Sequence, residues 1–367
     1  MTHNRMWTAA IASLVVVAAS TLVALNAGPA ASSAPAGLRV QGNHLVDGRG
    51  RTVRLLGVNR SGAEYMCLQH GNYADLFDGP TDTASIRAMK GWHVNTVRLP
   101  LNETCWLGIN GVPRGGSRYR TAISKYVHRM NRAGLFVVLD LHVAAPGTNR
   151  AKGIIPMADA DHAPAFWRSV GHTFKFDRRV LFDLYNEPHD ISWACWRNGC
   201  PLPAGGSGEG RHPAYRTAGM QQLIDAVRSA GATQPAMAGG IDWARSLGGW
   251  LSHRPRDPAG RLVAAEHNYG QLANCWQQCK AAITQVARRF PVVIGELGET
   301  DCKHGYIDRW MPYADRRGLS YLGWTWNATA PGSWTCGGGP SLIERWSGRP
   351  TPYGVGFKNH FARLARH

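Results

Sequence analysis

Residues 180–188 read VLFDLYNEP, and residues 135–142 read LFVVLDLH. Each stretch is a nearly continuous apolar run that ends in polar side chains, Asn186 and Glu187 in the first and His142 in the second. Apolar runs of about four to eight residues are typical of strands that are buried on both faces of a parallel sheet. The two stretches therefore predict buried parallel strands with polar groups at their carboxyl ends.

Six further apolar runs give eight predicted strands in all, alternating with helix-like segments. The predicted strands are Val53–Val58, Val94–Leu99, Leu135–His142, Val180–Asn186, Pro235–Ile241, Leu262–His267, Pro291–Glu296 and Leu319–Trp326. Helices are predicted at Asp82–Lys90, Ala122–Ala133, Tyr215–Ala230 and Ile307–Arg317, each followed by a glycine as is usual at helix ends. This alternation predicts a single-domain (β/α)8 TIM barrel, with a short N-terminal hairpin of Leu38–Val40 and His44–Val46 at the barrel floor.

Residues 1–36 have the order of a secretory signal peptide. A weakly basic head precedes an apolar segment, Ile11 to Leu25, and then a stretch rich in Ala, Ser and Pro that ends in Ala34-Pro35-Ala36. The alternative is an uncleaved membrane anchor, but the apolar segment is shorter than the roughly 20 residues of a membrane span. We therefore expect an extracellular catalytic domain of residues 37–367, with the cell envelope as the alternative location and no stable membrane insertion after cleavage.

Eight cysteines fit export, because disulfides persist outside the cytosol. Two spacings resemble metal motifs, but an even count in an exported chain favours disulfides, and we expect no metal and no cofactor. All eight follow the ends of predicted strands, and loops that are neighbours can reach one another. The predicted pairs are Cys67–Cys105, Cys195–Cys200, Cys275–Cys279 and Cys302–Cys336.

The composition indicates a folded domain with a strongly basic surface. The hydrophobic fraction is 44%, which excludes intrinsic disorder, and the net charge is +17. Basic residues are scattered, the densest spots being the pairs Arg178–Arg179, Arg288–Arg289 and Arg316–Arg317. Because no longer run or nucleic-acid-binding motif is present, we expect no nucleic-acid partner and interpret the charge as a solvated surface suited to an acidic cell envelope.

Polar residues at the carboxyl ends of barrel strands are typical of an active site. Two of them are glutamates, Glu187 and Glu296, and glycosidic bond cleavage requires two carboxylates, one to donate a proton and one to attack the anomeric carbon. The predicted supporting residues are Arg98 to keep Glu296 ionised, Tyr269 to orient it, Asn186 to hold a sugar hydroxyl, His142, His267, and Trp326 as a flat surface for the sugar, with Trp324 as the alternative. Asp140 and Asp183 are expected to form internal hydrogen bonds.

From Arg98 to Trp326 these segments resemble glycoside hydrolase family 5, the cellulase family of retaining (β/α)8 enzymes. The specific part of the resemblance is Asn186-Glu187-Pro188 followed by His267-x-Tyr269 and then Gly295-Glu296. The resemblance implies that Glu187 is the acid/base and Glu296 the nucleophile, and it implies a polysaccharide or oligosaccharide substrate, β-linked glucan in cellulases. Glu299 is a weaker candidate nucleophile, because it lies three residues beyond the predicted strand end.

Several alternatives stay open at this point. The Cys-rich loops and the first loop, residues 59–80, depart from familiar cellulases, so mannan, β-1,3-glucan or an envelope glycan is an alternative substrate. A carbohydrate-binding barrel without catalytic activity is a further alternative, although the intact pair of glutamates argues against it. We expect a monomer.

Overall fold

The computed structural model describes Met1 and residues 37–69, 76–270, 275–328 and 340–366, with the backbone alone for 275–278. Eight parallel strands close into a barrel, so the predicted TIM-barrel fold is confirmed. The barrel closes where Tyr321 of the last strand pairs with Leu56 of the first. The strands are β3 (Leu56–Asn59), β4 (Thr96–Asn102), β5 (Phe136–Val143), β6 (Val180–Asp183), β9 (Ala236–Gly239), β10 (Leu262–Tyr269), β11 (Val292–Gly298) and β12 (Ser320–Gly323).

The helices surround the barrel or lie in the loops above it. They are α1 (Ala63–Met66), α2 (Thr83–Lys90), α3 (Glu103–Leu107), α4 (Ser117–Arg132), α5 (Ala163–Phe174), α6 (Trp193–Asn198), α7 (Met220–Ser229), α8 (Trp250–His253), α9 (Cys275–Ala287), α10 (Gly305–Asp315) and α11 (Pro352–Leu364). Three two-stranded antiparallel sheets lie outside the barrel: β1 (Arg39–Gln41) with β2 (His44–Val46), β7 (Pro201–Leu202) with β8 (Tyr215–Arg216), and β13 (Ile343–Arg345) with β14 (Arg349–Pro350).

The sequence patterns explain the longer helices. In α4, buried residues recur every three or four positions, from Tyr119 through Ile123 to Val127 and Met130, which gives one apolar stripe facing the strands. In α2 the carboxylate of Asp82 accepts a hydrogen bond from the backbone N–H of Ser85 at 2.8 Å, a regular N-cap.

The helix predicted at Tyr215–Ala230 is wrong over its first five residues. Tyr215 and Arg216 form strand β8, and the helix begins only at Met220. Thr217 holds this segment extended: its backbone N–H donates to the carbonyl of Cys200 at 2.9 Å, and its hydroxyl accepts from the N–H of Cys200 at 2.8 Å. Tertiary hydrogen bonds here override the local helical pattern.

The apolar residues of the described segments form two main cores and a small third cluster of Val143, Ala145 and Ala151. The larger core lies between the strands and the helices, and a smaller one fills the barrel interior, with Val138, Leu181 and Val263 among its members. Leu38 and Leu45 of the N-terminal hairpin belong to the interior core. The hairpin therefore closes the floor, the face at the amino ends of the strands, as predicted. Among the helices of the described residues, none combines the length and the apolar composition of a membrane span.

Candidate active site

Polar side chains from four strands and one strand-to-helix loop meet at the carboxyl ends of the strands, the face called the mouth below. Parallel strands in a closed barrel bring all their carboxyl ends to one face, so residues far apart in sequence converge there. The predicted residues at the mouth are Arg98 on β4, His142 on β5, Asn186 and Glu187 shortly after β6, His267 and Tyr269 on β10, and Glu296 on β11. The structure therefore brings these seven residues together.

Arg98 is the central cation of the site and is fully buried. Its Nη1 donates to Oε1 of Glu296 at 2.8 Å and its Nε donates to Oδ2 of Asp183 at 2.9 Å. Its Nη2 donates to Oδ1 of Asn186 at 2.8 Å and lies 3.1 Å from Oδ2 of Asp140. Its Nη1 also donates to Oδ1 of Asn59 at 3.0 Å. One guanidinium thus faces three carboxylates and two amides, and it fixes their relative positions.

The charges of this cluster do not balance. Burial opposes ionisation and raises the pKa of both Asp140 and Asp183, although Arg98 acts in the opposite direction. The same carboxylates raise the pKa of Arg98 above its ordinary value, despite the opposing effect of burial. Asp140 also contacts His142, with 2.7 Å between its Oδ2 and the ring Nδ1. The expected internal hydrogen bonds of Asp140 and Asp183 are therefore present.

Glu296 is surrounded by donors. Its Oε1 accepts from Arg98, and its Oε2 accepts from the hydroxyl of Tyr269 at 2.5 Å. The hydrogen bond from the Arg98 cation is of the strong, charge-assisted kind. The side chain of Glu296 is held in one orientation at the mouth.

Glu187 has a different environment. Its Oε1 lies 2.9 Å from Nδ1 of His267, and burial raises the pKa of Glu187 to about 7. Burial also lowers the pKa of His267 to about 3, so the imidazole beside Glu187 is neutral. The two glutamates therefore have different surroundings: Glu187 is desolvated beside a neutral imidazole, and Glu296 is bonded to a cation.

The two carboxylates are close together. One oxygen of Glu187, one ring nitrogen of His267 and one oxygen of Glu296 all lie within 4.8 Å of one another. These three residues and a second set, Glu103 with Asp159 and His162, are the groups of the described residues with ligand atoms arranged for a metal ion. A cation at the first set would occupy the oxygens that the pair offers to a substrate.

Trp326 is wrong as the predicted sugar surface. It is fully buried and packs edge-to-face on Trp92, with 4.8 Å between the ring centroids. The alternative, Trp324, is partly exposed, and its ring stacks on that of His142 at 5.5 Å with an interplanar angle of 7°. The strand ends at Gly323, so the alternation of a strand does not extend to residue 326.

Trp243 is a candidate binding residue that no sequence motif indicated. It is 39% exposed, and its ring stacks on that of His189 with 3.7 Å between the centroids. Its backbone N–H donates to the carbonyl of Pro188 at 2.9 Å. This aromatic face is therefore tied to the residue that follows Glu187. Asp242, Trp243 and Ala244 all have positive φ angles, 59°, 60° and 56°, a conformation that a pattern of residue types does not reveal.

Two other glutamates near the mouth are held by local contacts. Oε2 of Glu299 accepts from the backbone N–H of Tyr306 at 2.7 Å, and Oε1 of Glu266 accepts from Asn268 at 2.8 Å. Neither glutamate belongs to the network around Arg98 in the described residues. This placement favours Glu296 over Glu299 as the reacting group.

Two of the four predicted disulfides are confirmed. Cys67 bonds to Cys105 and Cys195 bonds to Cys200, with sequence separations of 38 and 5 residues. The other two pairs include Cys275, whose side chain is outside the described residues, and Cys336, which lies outside them altogether. Cys279 and Cys302 are disulfide-bonded, but those two pairings stay predictions.

Comparison with known proteins agrees with this geometry. The family model described as cellulase, glycosyl hydrolase family 5, matches residues 46–330. An endoglucanase of Thermobifida fusca is 24% identical over 302 residues, which cover 79% of this chain and 55% of that enzyme. A mannan endo-1,4-β-mannosidase of Streptomyces lividans is 23% identical, covering 88% of this chain and 76% of that enzyme. The chain thus spans about half the length of the Thermobifida enzyme.

Solved structures show the same barrel. A β-glucanase of Saccharophagus degradans in complex with cellotetraose superposes with a TM-score of 0.67 at 20% identity, covering 90% of this chain and 94% of that one. A β-mannanase of Streptomyces thermolilacinus with mannohexaose gives a TM-score of 0.63 at 20% identity, covering 89% and 96%. At this identity the likeness concerns the fold.

Proposed function

Because this chain belongs to the cellulase family, glycosyl hydrolase family 5, we propose that it hydrolyses β-linked glucan by a retaining double displacement. Glu187 is the acid/base and Glu296 the nucleophile. The observation that carries the proposal is the pair itself: two carboxylates with oxygens within 4.8 Å of each other, one desolvated and the other bonded to a cation. Retaining enzymes have such closely spaced carboxyl groups.

In the first step Glu296 attacks the anomeric carbon and Glu187 gives its proton to the leaving oxygen. The pKa of about 7 lets Glu187 carry that proton near neutral pH. Arg98 and Tyr269 hold the attacking carboxylate in place through both of its oxygens. The amide Nδ2 of Asn186 is buried and has no hydrogen-bond partner among the described residues, so it is available to a substrate hydroxyl.

In the second step Glu187, now ionised, removes a proton from water, and the resulting hydroxide displaces Glu296 from the sugar. An inverting enzyme needs about 6.5–9.5 Å between its carboxyl groups to place water beside the sugar in a single step. One oxygen of Glu187 lies within 4.8 Å of one oxygen of Glu296, which fits the close pair of a retaining enzyme. The stacked rings of His142 and Trp324 offer a flat apolar surface for the sugar that is attacked.

Mannan is the second candidate substrate. Two of the comparisons carry it, the mannosidase of Streptomyces lividans and the mannanase bound to mannohexaose. The mechanism is the same for both glycans, so the residues above do not discriminate between them. A barrel that binds glycan without cleaving it requires an incomplete pair, and both glutamates are present.

The catalytic domain is proposed to act outside the cell as residues 37–367, after removal of residues 1–36, which lie outside the described part apart from Met1. Disulfide bonds at the mouth fit an oxidising location. N-terminal sequencing of the protein exported by its own host tests this. Recovery of residues 1–36 on a membrane-bound protein contradicts it.

Matched amide variants test the assigned roles. On a dinitrophenyl cellobioside, whose leaving group needs no protonation, Glu187→Gln should still form the glycosyl-enzyme and Glu296→Gln should not. Glu299→Gln is the control and should retain activity. Identical behaviour of the first two variants contradicts the assignment.

Two further measurements complete the test. NMR of the first product from cellotetraose should show retained anomeric configuration, and an inverted product contradicts the double displacement. Initial rates on carboxymethylcellulose, mannan and laminarin then identify the glycan. We expect carboxymethylcellulose to be cleaved fastest.

A further inference from the structure

The positive charge of this chain is organised, although its sequence suggested scatter. The three arginine pairs each precede a barrel strand: Arg178–Arg179 before β6, Arg288–Arg289 before β11 and Arg316–Arg317 before β12. The amino ends of parallel strands share one face, so all three pairs lie at the floor. Residues at that face do not take part in the chemistry of barrel enzymes. Glycoside hydrolysis therefore leaves these charges unexplained.

One whole pair, Arg316–Arg317, and one member of another, Arg288, line a single cleft. Between α9 and α10 a cleft of about 600 Å³ is lined by Lys280, Arg288, Arg316 and Arg317 together with Tyr313. None of its eight lining residues is acidic. The guanidinium of Arg317 lies 4.0 Å from the ring centroid of Tyr313, and the ammonium of Lys280 lies 5.0 Å from it. Four cations thus surround a concave surface.

Helix ends do not account for this arrangement. A cation near a helix C-terminus interacts favourably with the helix dipole, by about 0.3–1 kcal/mol. One cation at the end of each of α9 and α10 is enough for this interaction with the helix dipole. The cleft between these two helices holds four cations. Within the described part of the chain, Arg288, Arg316 and Arg317 have no ion-pair partner, and all three are exposed. By contrast, the floor acids Asp257 and Asp315 are paired, with Arg228 and Arg54.

We propose that this cleft binds a flexible polymer of repeating phosphate groups. The guanidinium fork matches the geometry of phosphate oxygens and binds them through two hydrogen bonds, and three of the four cations are arginines. Salt weakens the attraction between exposed charges, so an anion that engages several of the four cations at once is favoured over a single phosphate. Because the cleft is at the floor, a protein bound in this way keeps its mouth free for glycan.

Nucleic acid fits the cleft less well than a polymer without bases. Proteins that bind single strands combine a basic groove with aromatic faces on which bases stack. The aromatic residue in this lining, Tyr313, is buried, and its ring is already contacted by two cations. The cleft therefore offers charge but no stacking surface.

Long-chain inorganic polyphosphate immobilised on a sensor is the probe, with the purified catalytic domain in solution. We expect binding that weakens at least about tenfold between about 50 and 200 mM NaCl. The double variant Arg316→Gln/Arg317→Gln should bind at least about tenfold more weakly than the wild type. The matched control, Arg211→Gln/Arg216→Gln, also removes two exposed arginines, but from the loop before α7 on the mouth side, and should bind like the wild type.

Both double variants should keep the wild-type rate on soluble glucan and the wild-type melting temperature, which shows that they are folded. Polyphosphate binding by Arg316→Gln/Arg317→Gln within twofold of the wild type would overturn the proposal. Equal affinity for polygalacturonate, a carboxylate polymer, would overturn the preference for phosphate. Tighter binding of single-stranded DNA than of polyphosphate would overturn the choice of a polymer without bases.

Discussion

Two ionic clusters at opposite ends of the barrel differ in how their charges are matched. At the mouth, Arg98 alone faces Asp140, Asp183 and Glu296, and all four are buried. At the floor, one carboxylate, that of Asp315, has three donors and is partly exposed. The mouth has more acids than cations, whereas at the floor an arginine, a histidine and a tyrosine all bond to one acid.

The pKa directions follow this difference. Burial raises the pKa of Asp140 and Asp183, and one arginine does not compensate for it. At Asp315 burial acts in the same direction, but the hydrogen bonds from His360 and Arg54 outweigh it and lower the pKa. The mouth therefore holds protons near neutral pH, which suits proton transfer. The floor holds a fixed ion pair, which suits stability.

Replacing Arg98 should have the largest effect. Arg98→Met leaves three buried carboxylates without their cation, and we expect the free energy of unfolding to fall by about 3–5 kcal/mol. Activity should fall by at least about 10²-fold, since Glu296 loses a positioning donor. Urea unfolding followed by circular dichroism, together with initial rates, checks both. A fall in the free energy of unfolding of less than about 1 kcal/mol would contradict the description of Arg98 as the cation that stabilises three buried carboxylates.

The two tryptophans after β12 should separate stability from binding. Trp326→Ala removes a fully buried ring and should lower the free energy of unfolding by about 3–5 kcal/mol. Trp324→Ala should lower it far less but reduce kcat/KM about tenfold, or about 1.4 kcal/mol, because the stacked sugar surface is lost. Denaturant titration and oligosaccharide kinetics distinguish them. The reverse pattern would restore Trp326 as the sugar surface.

The pH dependence of stability should have opposite signs at the two ends. Groups with raised pKa values in the folded state, among them Glu187 at about 7, bind protons that the unfolded chain releases from about pH 4.5. Stability should therefore fall by about 1 kcal/mol or more between about pH 4.5 and 8. The lowered pKa of Asp315 contributes stability that is present above pH 3.8 and lost as the pH falls further.

Three variants separate these contributions. Glu187→Gln and Asp183→Asn should each flatten the decline of stability above pH 4.5, and Asp315→Asn should flatten the loss of stability in acid. The measurement is the free energy of unfolding from urea titrations across this pH range. An unchanged pH profile in Asp183→Asn would show that Asp183 is ionised throughout.

Arg54→Met should have the smallest effect. Its guanidinium bonds to Asp315 at 2.5 Å, but both side chains are about one-fifth exposed and Asp315 keeps its bond to His360. We expect a loss of about 1 kcal/mol and unchanged activity. The same denaturation and rate assays apply. A loss as large as that of Arg98→Met would erase the contrast between the two clusters.

The eight strands could be predicted from sequence because buried parallel strands are continuous apolar runs. The two glutamates and Arg98 could be proposed as site residues for a related reason. A charged residue at the carboxyl end of a buried strand lies at the mouth, where barrel enzymes place their active sites. Prediction failed where tertiary contacts decide the backbone. Thr217 holds its segment extended against Cys200, and the chain leaves strand geometry after Gly323, which reverses the expected roles of Trp324 and Trp326.

The residues of the candidate site that prediction missed have no pattern in the sequence. Trp243 is exposed because three successive residues take positive φ angles and its N–H bonds to Pro188. Nothing in the letters of residues 240–246 encodes that conformation. The excess of carboxylates over cations around Arg98 could not be predicted from the sequence either, because it depends on which carboxylates converge in space.

The closure of the barrel has a consequence for the order of folding. The guanidinium of Arg54 donates to the carbonyl of Leu319, 265 residues away, and the last strand pairs with the first beside this contact. During synthesis β3 therefore has β4 on one side but lacks its other neighbour until residues 320–323 have been made. Leu38 and Leu45 also depend on the last strand, because the interior core that they close includes Leu322. Contacts this distant slow folding, so the nascent chain should remain unclosed until its last strand emerges.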